Sequence, residues 1–316
     1  MPEKIAVIGA GLIGRSWSIV FARAGHEVAL FDQSPEAVEA ALSLIEEALP
    51  GLAETELLRG ASPAEVRARI RGAADMADAV DGVGYVQENT FEREDVKLQV
   101  FGELDRLTAP ETVLATSTSG LRVSRYTEKL AGRARCLVAH PINPPHLVPL
   151  VEIVPAPWTD PKAVERTHAL MASVGQAPIT LKKEVDGFVA NRMQGALLNE
   201  AFKLVEDGVC DAADVDIAIA EGIGLRWAFM GPFETIDLNA PEGVRDYCSR
   251  FAKMYYGFAT EDPSPRLWSD DLIGRIEAER RETLSADKLG ERTAWRDRRL
   301  ADLVVSKMKA AKTIGD

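Results

Sequence analysis

The chain has 316 residues, 46% of them hydrophobic, enough for two modest cores, so two domains are expected. A net charge of -12 and a sequence pI near 5.0 argue against an electrostatic grip on nucleic acid or an anionic membrane, and a small molecule is the expected partner. Cys136, Cys210 and Cys248 are too far apart for a metal-ligand run or a disulfide framework, and the histidines at 26, 140, 146 and 168 show no zinc-type pairing. A cytoplasmic protein without a metal is therefore expected.

The first apolar run, Ile5 to Ile8, is too short for a signal segment and leads into glycines, and no later stretch reaches the length of a membrane span. From Lys4 to about Val185, β-rich runs alternate with helical patterns. The predicted strands are Ile5 to Ile8, Glu27 to Phe31, Val83 to Gln87, Thr112 to Ala115, Cys136 to Ala139, Leu147 to Val154 and Pro178 to Leu181. This alternation predicts an α/β fold, a doubly wound parallel sheet covered by helices on both faces. After Asp186 the strand signal fades. Ala190 to Asp207, Ala213 to Ala220, Pro241 to Tyr256 and Arg296 to Ala310 carry apolar residues at helical spacing. The expected division is a dinucleotide-binding domain over 1–186 and a smaller all-helical domain over 187–316. Thr260 to Pro265 reads as a surface loop.

Between the first strand and its helix stands Gly9-Ala10-Gly11-Leu12-Ile13-Gly14. Gly9 permits the tight turn, Gly11 lets the backbone approach a pyrophosphate, and Gly14 allows close helix-on-strand packing. The amides of a helix starting at Leu12 and Ile13 would face the phosphates. The second strand ends at Asp32, where a carboxylate can accept hydrogen bonds from an adenosine ribose and would repel a 2′-phosphate. NAD is therefore expected over NADP.

Removing hydride from a carbinol carbon requires a base for the hydroxyl proton. His140 directly follows a strand and precedes Pro141-Ile142-Asn143-Pro144-Pro145, at a strand's carboxyl end, where open α/β sheets bind ligands. On these grounds alone it is either that base or a structural histidine. Glu152 lies inside an apolar run, where a carboxylate is costly unless paired, and an imidazole would suit it; a strand edge facing solvent is the other reading.

Thr116-Ser117-Thr118-Ser119-Gly120-Leu121, His140 with its Pro-Ile-Asn-Pro tail, Glu152, and Gly187-Phe188-Val189-Ala190-Asn191-Arg192 together resemble the L-3-hydroxyacyl-CoA dehydrogenase superfamily in order and spacing, over nearly the whole chain. The resemblance implies His140 as general base, Glu152 as its orienting partner, and Ser119 and Asn191 as hydrogen-bond partners of the reacting oxygen. It also implies Glu92 and Lys97 beside the nicotinamide half of NAD, although a Glu and a Lys on a helix also suit a solvated face. Asn143 is counted with Ser119 and Asn191 as substrate-binding. Within the superfamily, Val151-Glu-Ile-Val-Pro, Glu184-Val-Asp-Gly-Phe-Val, Gly224-Leu-Arg-Trp-Ala-Phe-Met-Gly-Pro and Trp295-Arg296-Asp297 resemble the λ-crystallin and L-gulonate 3-dehydrogenase branch. L-carnitine dehydrogenases are similar at Ser117-Thr-Ser-Gly-Leu and Gly224-Leu-Arg-Trp but tend to carry Asp-Arg where this chain has Asn191-Arg192.

Two features point away from a CoA thioester. Gln33 to Leu58 holds Glu36, Glu39, Glu46, Glu47, Glu54 and Glu56 with no Lys or Arg, where the CoA enzymes resemble a lysine-rich arm; Arg59, Arg67, Arg69 and Arg71 follow it. Arg226 can bind a free carboxylate bidentately, or make an ordinary surface salt bridge. The expected reaction is NAD-dependent oxidation of a small 3-hydroxy acid to the 3-keto acid, with Arg226 on the carboxylate. L-carnitine, a 3-hydroxyacyl-CoA or a non-enzymatic crystallin-like role stand as alternatives. A quaternary ammonium would call for an aromatic cage, for which Trp227, Tyr247, Tyr255 and Tyr256 are available. The resemblance further implies a homodimer joined through the helical domain.

Overall fold

A computed structural model of the chain describes residues 2–262 and 266–315. Eight strands form one sheet: β1 (Lys4–Ile8), β2 (Glu27–Phe31), β3 (Ile70–Gly72), β4 (Tyr85–Glu88), β5 (Val113–Thr116), β6 (Cys136–Pro141), β7 (Leu150–Pro155) and β8 (Ala177–Thr180). Their order across the sheet is β3-β2-β1-β4-β5-β6-β7-β8. The sequence reading placed seven of them. It missed β3, a three-residue edge strand with two exposed positions and therefore no alternating signal.

The first six strands in chain order are mutually parallel, but β7 runs antiparallel to β6, so the sheet is not uniformly parallel as expected. The cause is the connection 142–149, shorter than the dozen or more residues that a parallel crossover needs. The reversal sets His140 directly opposite Glu152 in the β6–β7 register. Helix Pro161–Ser173 then supplies a true crossover, and β8 pairs parallel to β7.

Side-chain alternation divides the core between the two sheet faces. Ile5, Val7, Tyr85, Leu137 and Ala139 face helices Leu12–Arg23 and Pro35–Glu54, whereas Ala6, Ile8, Val86 and Val138 face helix Glu94–Leu107, Tyr126 and Phe188. Helix starts follow local chemistry. Ser34 caps the Ala37 amide ahead of Pro35, and Ser62 with Glu65 forms a capping box ahead of Pro63.

Contacts divide the chain into two compact units, Met1–Arg192 with Trp295–Asp316, and Met193–Ala294. The last helix, Leu289–Thr313, thus runs into the first unit, where Leu300, Ala301, Val304 and Val305 join one of the two sheet-face cores. This grouping differs from the division after Asp186 that the fading strand signal suggested. The second unit is helical: Ala212–Ile217, Gly224–Trp227, Pro232–Leu238, Val244–Glu261 and Asp270–Thr283 follow the helix that opens at Ala190. The helix predicted to end at Tyr256 continues through Thr260 and Glu261, and Pro263–Pro265 of the expected loop lie outside the described residues. No helix among the described residues is long and apolar enough to cross a membrane.

Candidate active site

The glycine motif occupies the turn from β1 into helix Leu12–Arg23. Gly9 has φ +98°, and a Cβ on Gly14 would lie 1.8 Å from the Gly9 carbonyl oxygen, so neither position admits a side chain. A Cβ on Gly11 would meet nothing within 4 Å, which leaves open space before the helix N-terminus. No side chain caps that end, so its first amides face outward as a ready anion site. Leu12 is exposed and Ile13 packs on the core, so what either could offer a ligand at that end is its backbone amide.

Beside this turn lies a cavity of about 260 Å³ lined by Gly9, Gly11, Asp32, Asn89, Thr90 and Phe91, at the carboxyl ends of β1, β2 and β4. Asp32 accepts the Ala10 amide at 2.8 Å and the Ser34 amide at 3.2 Å. A carboxylate has about four lone-pair sites, so two remain for ribose hydroxyls. These residues fit the adenosine half of NAD.

His140 is 5% exposed and Glu152 0%. The imidazole Nδ1 lies 2.8 Å from Glu152 Oε2, and Glu152 Oε1 accepts the amides of Val189 at 2.7 Å and Ala190 at 3.0 Å. Burial pushes the Glu152 carboxyl up, but hydrogen bonds from His140, Ala190 and Val189 outweigh it and hold the group below the usual carboxylate range. An ionised Glu152 requires Nδ1 to carry the proton, and Nε2 is then the nitrogen able to accept one. For Glu152 the geometry selects the paired reading over a strand edge facing solvent. The amides reach Glu152 because Gly187 (φ +73°) and Phe188 (φ +51°) turn the chain there, and the Phe188 ring packs 5.4 Å from the imidazole.

Asn191, next in sequence, donates from Nδ2 to the Ser119 carbonyl at 2.7 Å. Ser119 is exposed, and its hydroxyl has no protein partner among the described residues. The dyad and the Ser119 loop are thereby joined through three consecutive residues, Val189 to Asn191. Asn143 lies exposed on the loop after β6.

Glu92 Oε1 collects the Thr118 hydroxyl at 2.6 Å, the Ser119 amide at 2.8 Å and the Gly120 amide at 3.1 Å. Lys97, expected beside the cofactor or on a solvated face, is instead 1% exposed and directs its ammonium at Glu88 (3.0 Å), Thr116 (3.4 Å) and Glu92 (3.7 Å). Three donors face three protein partners. Sequence reasoning missed Glu88 and the network under the dyad. There Gln87 Nε2 donates to Ser117 Oγ (2.8 Å) and the Ala139 carbonyl (3.2 Å), while Trp17 Nε1 donates to Ser117 Oγ (3.0 Å). The available signal was a Gln-Glu pair ending an apolar strand.

Arg226 belongs to the second unit. It stands on the short helix Gly224–Trp227, is exposed, and has no carboxylate partner among the described residues; its hydrogen bond is a long one, 3.5 Å to Asn239 Oδ1. The surface salt bridge left open by the sequence is not formed there.

Residues 4–185 match the family model "3-hydroxyacyl-CoA dehydrogenase, NAD binding domain" and residues 187–281 the corresponding C-terminal domain. Lambda-crystallin of Oryctolagus cuniculus is 39% identical over 305 residues, 95% of each chain. L-carnitine dehydrogenase of Pseudomonas putida is 34% identical over 313 residues, 98% of this chain and 94% of that protein. Among solved structures, the NAD+-dependent dismutase 5-formyl-3-hydroxy-2-methylpyridine 4-carboxylic acid 5-dehydrogenase is similar, with TM-score 0.73 and 29% identity over 91% of this chain and 98% of that one. With a glycine cradle and Asp32 suited to the dinucleotide, a histidine–carboxylate pair on β6 and β7 of the same sheet and both halves of the chain matched, this protein belongs to the 3-hydroxyacyl-CoA dehydrogenase family and is an NAD-dependent oxidoreductase.

Proposed function

We propose that the enzyme oxidises the 3-hydroxyl of a small 3-hydroxy carboxylic acid to the 3-keto acid, in the manner of an L-gulonate 3-dehydrogenase. The observation that carries the chemistry is the His140–Glu152 pair, with Nδ1 bound to a buried carboxylate at 2.8 Å. His140 Nε2 takes the hydroxyl proton, Glu152 stabilises the imidazolium that results, and Ser119 and Asn191 hold the reacting oxygen, with Asn143 on the loop that follows β6 as a further substrate contact. Bound NAD supplies the hydride acceptor. Oxidation releases a proton and is favoured by alkaline pH; the reverse reduction runs better at lower pH.

The choice of a free acid rests on charge. Helix Pro35–Glu54 carries no basic residue, and three of the arginines after it are engaged within the protein: Arg67 with the Ile70 carbonyl and Glu46, Arg69 with the Ala22 carbonyl, Arg71 with Asp78. Each of the three already has a partner within the protein, which lowers what the stretch can offer the phosphates of CoA, while the Arg59 side chain has no such partner among the described residues. Arg226, without a carboxylate of its own, is the proposed anchor for the substrate's. A relative and a structural neighbour named for carboxylate-bearing compounds, carnitine and a pyridine 4-carboxylic acid, agree with this. NADH formation at alkaline pH across L-gulonate, L-carnitine, 3-hydroxybutyrate and 3-hydroxybutyryl-CoA tests it. Turnover confined to free acids is expected, with Arg226→Met raising KM about 10- to 100-fold, the loss of one charge-assisted pair. Turnover with the CoA ester alone overturns the substrate assignment.

We further propose a homodimer joined through the second unit, because Leu225, Phe229, Phe233, Leu238, Tyr256 and Phe258 stand exposed there.

A further inference from the structure

Glu88 is wholly buried at the carboxyl end of β4 and takes no part in the dyad. We infer that Glu88 is a positioning residue for the reaction, fixing the Thr118–Gly120 loop, and Ser119 with it, through Thr116 and Lys97.

Two routes of contact lead from this carboxylate to the same loop. Along the first, Glu88 Oε2 accepts the Thr116 hydroxyl at 2.6 Å, and Thr116 Oγ1 in turn accepts the Thr118 amide at 3.1 Å. Sheet register makes this possible, since Glu88 and Thr116 are direct partners at the ends of β4 and β5. Along the second, Glu88 takes the Lys97 ammonium on both oxygens, at 3.2 and 3.0 Å, and the far side of that ammonium faces Glu92 at 3.7 Å. Glu92 then gathers the Thr118 hydroxyl and the Ser119 and Gly120 amides on one oxygen. The charges alternate, carboxylate, ammonium, carboxylate, from the dry interior outward: Glu88 and Lys97 are at most 1% exposed and Glu92 is 44% exposed.

A carboxylate is needed at the inner end. Glu88 also accepts the amide and hydroxyl of Thr90, so five contacts converge on its two oxygens. A carboxamide offers one acceptor oxygen and would point N–H groups at the Lys97 ammonium. Without its inner anion, Lys97 is drawn to Glu92 and competes for the oxygens that hold the loop. The Ser119 carbonyl accepts from Asn191, so a displaced loop also disturbs the second ligand of the reacting oxygen.

The inference rests on Ser119 serving the reacting oxygen, but its test begins without any substrate. Hydrogen exchange of the Ser119 and Gly120 amides is measured in Glu88→Gln and Thr116→Val, with Val86→Ala, a buried β4 residue outside the network, as the control for lost stability. Thr116→Val keeps the ion pair and guards against Glu88→Gln failing to fold. Exchange at the two amides should quicken about tenfold or more in Glu88→Gln and less in Thr116→Val. In turnover, kcat should fall about 10- to 100-fold, the usual loss when a site residue is misplaced by an ångström. Val86→Ala should lower Tm without either effect. Amides that stay protected in both variants, or that exchange equally fast in Val86→Ala, overturn the inference; quickened amides with unchanged kcat overturn the role of the loop in catalysis.

Discussion

The two compact units bury their side chains to very different degrees. Met1–Arg192 with Trp295–Asp316 encloses both sheet-face cores and locks its polar groups in pairs: His140 with Glu152, Lys97 with Glu88, Arg135 with Asp105. In Met193–Ala294, Thr235, Ala240 and Leu272 alone are buried among the described residues, although aromatic stacking of Phe202 on Trp268 and the ion pairs of Arg266 with Glu206 and Asp207 tie its helices together. The proposed catalytic pair sits where the surroundings are buried and closely packed, as suits a base that must hold one tautomer and one orientation. The anchor proposed for the carboxylate sits on an exposed surface, where a guanidinium keeps its hydration until a ligand arrives.

The sharpest way to break this contrast is Glu152→Gln. Losing the charge that fixes the His140 tautomer should lower kcat by about 10³- to 10⁴-fold, as for other histidine–carboxylate pairs, with the fold intact by circular dichroism. A loss of tenfold or less would mean that Glu152 is merely buried beside the base.

A weaker effect belongs to the stability of the first unit. Burial first, then Arg23 close by, hold the His146 pKa down to about 4, while Nδ1 lies 3.1 Å from Ser16 Oγ. The unfolded chain binds a proton near pH 6.5 and the folded chain only near 4. Stability from this group is therefore complete above 6.5, declines as pH falls through that window, and drops by about 3 kcal/mol in all. His26, lowered in the same direction by burial, steepens the slope. Urea titrations between pH 7 and 4 should show the decline in the wild type and a flatter curve in His146→Gln; parallel curves would count against it.

The smallest expected effect concerns the second unit's exposed surface. Sedimentation equilibrium should return twice 34.4 kDa, and a monomer with the same exposed aromatics would contradict the dimer.

How much of this was legible in the sequence follows from the range of each interaction. The glycine turn and Asp32 are local: a positive φ at Gly9, a missing Cβ at Gly14 and a strand-end carboxylate each leave a residue-level mark. His140 and Glu152 were legible as candidates, but their pairing depends on the antiparallel β7, and the shortness of 142–149 was the signal for that reversal. Lys97 suited a place beside the nicotinamide or on a solvated helix face; only the fold brings Glu88 and Thr116 under it. The last helix carried no mark of which unit it would join, since an apolar stripe does not name the surface that covers it.

The most direct test of the account is the His140→Ala variant, assayed for turnover and, separately, for NADH binding by fluorescence. Turnover should be nearly abolished while NADH affinity stays unchanged, as expected of a proton acceptor that does not hold the dinucleotide. Loss of both together, or turnover that survives the substitution, would contradict His140 as the general base.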